Sequence, residues 1–473
     1  MVQVRDPYNS TIGKLVFKKL QGISDRNECC RQLLHLWNEK ILPNTPAEGS
    51  APRISLETAQ VVLHGIGAAA GDVLLRGDMT MVPELIKLWP SVWTWIKLLH
   101  AAHAQLRAGH DSAFDITTAR QRYSAINKIL SSFTGSQSEL LHTIAETPGY
   151  ISMVTSLWIE EITDPHRNFR FKVSNLLAPL LSERCDRWTN QIIAICGGHP
   201  IDVVTFCLER MTANLRLTEP DYVALNGDLI IILSGCERPD APFRKAFATS
   251  PKSIPVITEV MSSLISSSQP PENMRTVLLA LCATILSFPI RLGGFDRIIE
   301  ALNGDMLPVM VKSSPFCSPL KGSQDIISIL LRYDIPAYFV HRPMLSLVRK
   351  AFRRIDSLGL ESIIIRGGFE QSWSTFKEVA ESWITTKHDF KTRPQSRFIC
   401  GNPEVCILQE SSHHILTMHS SVDSSKFMKT RSSCAAQVVV YNITAGKYAK
   451  SNTGKITIGD YAKTCRNVIA VRK

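Results

Sequence analysis

The chain has 473 residues, 44% of them hydrophobic and 20% charged, with a formal net charge of +11. That length holds several domains, or one extended helical array plus an appendage, and the composition excludes a chain that is disordered for want of a core. No apolar run reaches the length of a membrane span: the nearest, 222–235, is interrupted by Asn226 and Asp228.

In chain order, the first ten residues carry Arg5, Asp6 and Pro7 and no apolar stretch of the kind a secretory signal requires. The expected setting is intracellular, cytoplasmic or nuclear, without a membrane partner. The twelve cysteines then read as thiols rather than disulfides. From about residue 11 to 390 the pattern is helix after helix, with apolar residues recurring at three and four positions. Leu33, Leu34, Leu36 and Trp37 form one such stripe, and Val154, Leu157, Trp158 and Ile162 another. Ile327, Leu330 and Leu331 fall in a third, and Met344, Leu345, Val348 and Phe352 in a fourth. Helix starts are expected at Ser24, Ser55 and Ser136, and breaks at 43–52, 197–200, 237–242, 269–271 and 313–318. Pro83, Pro148, Pro255 and Pro308 each lead an apolar run, as suits a residue whose missing N–H has no partner in a first helical turn. Such irregular helical units predict an all-α, armadillo- or HEAT-like repeat body over 1–390, because a single helix pair cannot bury its own apolar face. The last strong stripe is Trp373, Phe376, Val379, Ala380 and Trp383.

Nothing in the body reads as catalytic. Cys185, Cys196, Cys207, Cys236 and Cys282 lie in or beside apolar helices, where a thiol acts as a small hydrophobe. Trp89, Trp93 and Trp95, spread across an expected break at Pro90, read as core. Glu160, Glu161, Asp164, His166 and Arg167 read as a solvated helix end.

After a linker at 391–397 the chemistry changes. From Lys391 onward there are 13 Lys and Arg against 4 Asp and Glu, a net +9, which leaves +2 for everything before. A basic tail of this kind meets nucleic acid or acidic protein surfaces. It also holds Cys400, Cys406, Cys434 and Cys465, together with His413, His414 and His419. Two cysteines bracketing an Asn-Pro turn aim two thiolates at one tetrahedral ion, and a structural zinc needs four such ligands. Short apolar runs at 438–441, 456–458 and 468–471 read as strands.

The opening Phe398-Ile399-Cys400-Gly401-Asn402-Pro403-Glu404-Val405-Cys406, placed after a long helical body, resembles that of fungal proteins with a C-terminal MYND-type zinc finger. The segments 338–343 and 354–359 are similar to those that precede the finger. The resemblance implies a small α+β module over 398–469, two zinc ions held in a cross-brace by seven Cys and one His, and a short proline-rich peptide as partner. It places Cys400 and Cys406 at the first two ligand positions, with Val405 inserted, and Cys434 at the third or fourth. Cys465 takes the last position, with Tyr461 where the family has His, and Asn442 and Gly446 stand at the fifth and sixth. Four ligands remain, two in each half of the brace, so neither family site is complete. Three readings stay open: a metal-free finger, one zinc site rebuilt from the four cysteines or from some of them with a histidine, or a tail produced by a faulty gene model. The expected function is a non-enzymatic protein-interaction scaffold with a MYND-like zinc-binding module. The alternative is association with nucleic acid through the basic tail.

Overall fold

A computed structural model describes residues 56–75, 82–109, 113–134, 138–163, 173–183, 185–237, 241–317, 326–364 and 369–392, with scattered positions between 28 and 43. The described residues are helical and contain no strand. In order they form a π-helical turn at Trp37–Ile41, then α1 (Leu56–Leu75), α2 (Val82–Gly109), α3 (Ala113–Thr134), α4 (Ser138–Ala145), α5 (Tyr150–Thr163) and α6 (Ser174–Ser182). Next come α7 (Asp186–Ile195), α8 (Pro200–Leu215), α9 (Tyr222–Cys236), α10 (Pro242–Thr249), α11 (Ser253–Ser266) and α12 (Glu272–Asn303). After α13 (Met306–Cys317), a π turn at Leu330–Asp334 and a 3-10 turn at Pro336–Tyr338 lead to α14 (Arg342–Ser357), α15 (Glu361–Ile364) and α16 (Glu370–Thr392). Two compact units divide at 377/378, inside α16.

Local chemistry explains the starts. Pro200 and Pro242 open α8 and α10 at their first position, where the absent N–H has no partner to lose. The Asp221 carboxylate accepts from the backbone N–H of Val223 and Ala224 at 3.1 Å each and caps α9.

In the first unit, neighbouring helices in the chain pack together, and so do helices three apart. α3 touches α6, α6 touches α9, and α9 touches α12; in parallel, α5 touches α8, and α8 touches α11. The short helices α4, α7 and α10 fall between these two lines. Side chains from each stripe read in the sequence are buried, among them Trp37, Val154, Leu157, Trp158, Ile327, Leu330, Leu331, Met344, Val348 and Phe352. Gly235 lets α9 lie directly on α10, for a Cβ there would sit 1.8 Å from the Phe243 ring. Gly294 supplies the positive φ (66°) at which α12 kinks.

Several expectations need correction. α2 runs straight through Pro90, and Trp89 and Trp93 stack at 5.8 Å on the two sides of it. α13 likewise passes through 313–317: the fully buried Ser313 hydroxyl bonds back to the Met310 carbonyl, and Pro315, which has no N–H to donate, falls in the last turn with only two helical residues after it. On α5 it is Glu161 that is buried, while Ile162 is half-buried. α12 is also long and apolar enough, by length and composition, to cross a membrane, although 78% of that window is buried by the helices around it. In the second unit, Trp383 is 41% exposed, since no side chain from Glu381 to His388 is buried.

Candidate functional site

Among the described residues, a dense polar constellation lies inside the first unit. Arg210 of α8 is fully buried. Its Nε donates to Asp228 Oδ1 of α9 at 3.0 Å, and Nη1 stands 2.6 Å from Glu161 Oε2 of α5. Nη1 also donates to the Trp158 carbonyl at 3.0 Å and Nη2 to the Ser174 hydroxyl of α6 at 2.8 Å, while the guanidinium lies 5.4 Å from the Trp158 ring centre. The Trp158 indole N–H donates to Ser174 Oγ at 3.2 Å, and Ser174 donates to Asp228. Tyr123 of α3 donates its hydroxyl to Glu161, whose Oε1 also accepts from the Val173 N–H at 3.3 Å. Beside Tyr123, with ring centres 6.0 Å apart, His103 of α2 donates from Nδ1 to the Ala119 carbonyl at 3.1 Å, and its Nε2 faces Glu160 Oε1 at 2.6 Å. Side chains from α5, α6, α8 and α9 thus meet at one cation, and α3 joins them through Tyr123 and Glu161.

One guanidinium cannot neutralise two carboxylates, so the cluster carries an excess negative charge in a dry interior. Burial pushes the carboxyls of Glu161 and Asp228 above their usual range, and Arg210 reverses only part of that rise. For Arg210, burial opposes the charge, but Asp228 and Glu161 outweigh it and hold the guanidinium protonated. Burial, reinforced by Glu161, raises the Tyr123 hydroxyl well above its ordinary value. Asp228 Oδ2 has no hydrogen-bond partner, so Arg210 and Ser174 hold this carboxyl through Oδ1. Arg210, Glu161 and Asp228 expose no side-chain surface. The cluster can therefore fix helices against one another but cannot meet a substrate.

Two surface features remain. A groove of about 500 Å³ between the α4–α5 turn and α7 is walled by Pro148, Ile151, Arg187, Gln191 and Ile195. Glu146 also lines it, accepting from the Trp188 indole at 3.0 Å and pairing with Arg187 at 2.8 Å. The Trp188 hydrogen bond chiefly holds its carboxyl below the usual range. The other feature is α14. Its inner face (Met344, Leu345, Val348, Ala351, Phe352, Ile355) is buried, with Phe352 against Trp373 at 5.7 Å. Its outer face carries Arg342, Arg349, Lys350, Arg353 and Arg354, all exposed.

The residues expected to bind metal, Cys400, Cys406, Cys434 and Cys465, lie outside the described residues, as do His413, His414, His419 and the expected strands. Among the described residues no three His, Cys, Asp or Glu side chains gather to hold a metal. Cys196, Cys207, Cys236 and Cys282 are buried, and burial raises their thiols, Cys196 to about 12. Of the expected solvated helix end, Glu160 and Glu161 prove to be partnered in the interior, whereas Asp164, His166 and Arg167 lie outside the described residues. Arg210 went unremarked in the sequence, although its position three residues after Cys207 and directly before Met211, on one apolar stripe, is the signal that marks it. The chain matches no family model, no curated protein and no solved structure.

Proposed function

We propose that this chain is a non-enzymatic protein-interaction scaffold, with an armadillo-like stack as its body and a small module related to the MYND-type zinc finger at residues 398–469. The contact pattern between helices carries this reading. α4–α5–α6, α7–α8–α9 and α10–α11–α12 each consist of a short helix of 8–10 residues followed by two more, and the second and third helices of each triplet touch their counterparts in the next. That is how a stack of three-helix units buries faces that no unit can bury alone. The Arg210 cluster supports it, since Glu161 and Ser174 belong to one triplet and Arg210 and Asp228 to the next. A stack of this kind presents long side-chain-lined surfaces, suited to holding another chain.

The test is selection of peptides from a displayed random library on the folded full-length chain. Enrichment of a shared motif with saturable 1:1 binding supports the scaffold. The absence of any enriched motif, with an oligonucleotide bound whose affinity falls steeply with salt, replaces it by the second reading, nucleic-acid association through the +9 tail. For the module, four thiolates are the ligand number of one structural zinc. About one zinc per chain, lost on Cys400→Ser, supports a rebuilt site at Cys400, Cys406, Cys434 and Cys465. No zinc in either protein leaves a metal-free module.

A further inference from the structure

We propose that the outer face of α14, together with the aromatic patch at its start, docks an acidic peptide segment that carries an apolar residue near one end. This rests on the scaffold reading and gives it a site. On a helix, positions 342, 346, 349 and 353 share one face, and that face holds Arg342, Ser346, Arg349 and Arg353, all exposed, with Lys350 beside them. At 1.5 Å per residue the cations span roughly 16 Å, the length of about five residues of extended peptide. Among the described residues Arg349, Lys350 and Arg353 have no acidic partner, whereas Arg354 is paired with Asp305. Three like charges along one helix face repel one another and gain from an anionic partner.

The patch sets the polarity. Phe295 of α12 lies 4.5 Å, centre to centre, from His341, and both rings lie 6.4 Å from Tyr338. Val340 beside them is 54% exposed. The Phe295–His341 contact at one end and the Asp305–Arg354 pair at the other lay α14 alongside the second half of α12, running in the same direction. The surface is thus apolar and aromatic at the N-terminal end of α14 and cationic along the rest. A nucleic acid strand carries a phosphate at every residue and would set one against the exposed carboxylate of Asp296, next in sequence to Phe295, whereas a peptide can set an uncharged aliphatic side chain there, beside the exposed Val340. Both features favour a peptide over a nucleic acid strand. The basic tail of the same chain has the wrong sign to occupy the site.

The probe is a fluorescein-labelled ten-residue peptide of eight Glu with Leu and Phe at one end, titrated into the full-length chain and followed by anisotropy. Saturable binding is expected. Arg349→Glu, Lys350→Glu and Arg353→Glu together should weaken it about 10-fold or more, with an unchanged circular dichroism spectrum and unfolding midpoint. Val340→Ser should weaken this peptide a few-fold and leave an all-Glu peptide unaffected. If the triple variant is misfolded, Arg349→Gln and Arg353→Gln singly should each weaken binding in part. The proposal is overturned by no saturable binding, by binding indifferent to these substitutions, or by a twelve-residue oligothymidylate that binds more tightly through the same residues. Library-selected peptides that bind the triple variant as well as the native chain would overturn this site while leaving the scaffold standing.

Discussion

Replacing Arg210 by Met tests whether the charge cluster locks neighbouring triplets together. Met fills much of the same volume, so the main loss is charge: both ion pairs, the bonds to Trp158 and Ser174, and the contact with the Trp158 ring disappear. Two carboxyls then face each other without a cation, and the cheapest relief is to protonate one that would otherwise stay ionised. For a carboxyl of ordinary pKa near 4, that costs about 1.4 kcal/mol per pH unit, hence roughly 4 kcal/mol at pH 7. The figure agrees with the roughly 3–5 kcal/mol typical of breaking a buried ion pair. A group whose pKa is raised on folding stabilises fully below its unfolded pKa and loses that stabilisation as pH rises through its folded pKa. The penalty in Arg210→Met should therefore shrink by about 2–3 kcal/mol between pH 7 and pH 5, whereas a loss of packing would not depend on pH. Urea unfolding followed by circular dichroism at both pH values measures it. Adding Glu161→Gln and Asp228→Asn should recover most of the loss at pH 7. A penalty below about 1 kcal/mol at pH 7, or one identical at the two pH values, refutes the argument.

Other consequences are simpler. Gly235→Ala drives a methyl into the buried Phe243 ring and should lower stability by about 1–3 kcal/mol in the same unfolding assay. Burial keeps Cys196, Cys207, Cys236 and Cys282 protonated, so site-resolved mass spectrometry after iodoacetamide treatment at pH 8 should find them unmodified in the native chain and modified in urea. Phe352→Ala removes a ring packed on Trp373 and Phe376. It should cost about 3–5 kcal/mol, read from the unfolding midpoint.

How much of this was legible in the sequence depends on the kind of interaction. Apolar stripes announce themselves, because 3.6-residue periodicity is a local property. Val154, Leu157 and Trp158, or Met344, Val348 and Phe352, are buried where the spacing places them. Prolines mislead when read as punctuation. Pro200 and Pro242 do open helices, whereas Pro90 lies inside one, where the core around Trp89 and Trp93 holds the chain helical across the lost hydrogen bond. The candidate functional site divides in the same way. The basic face of α14 could be read from the spacing of Arg342, Arg349 and Arg353, since a face with no apolar residue must point outward. The Arg210 cluster could not, because its members stand 49 and 18 residues from the cation and meet only when the helices stack.

That difference bears on what holds these helices in register. Apolar faces made of Leu, Ile and Val slide over one another at modest cost, and a helix moved by one turn still finds apolar neighbours. An arginine that needs two carboxylates, a hydroxyl and a backbone carbonyl does not tolerate such a shift, because any other position leaves it unpaired in a dry interior. Arg210 reaches from α8 to α5 and α6 in one triplet and to α9 in its own. A single residue therefore specifies both how a triplet closes and how it meets the one before it. The net negative charge that remains at pH 7 is a cost in stability, offset by the rejection of every packing that separates Arg210 from Glu161 or Asp228. If this is the cluster's role, replacing Arg210, Glu161 and Asp228 together by apolar residues of similar volume leaves stability equal or higher but removes that rejection. The result should be read in the α5–α9 helices as broadened NMR resonances and faster amide exchange, with the helix content unchanged.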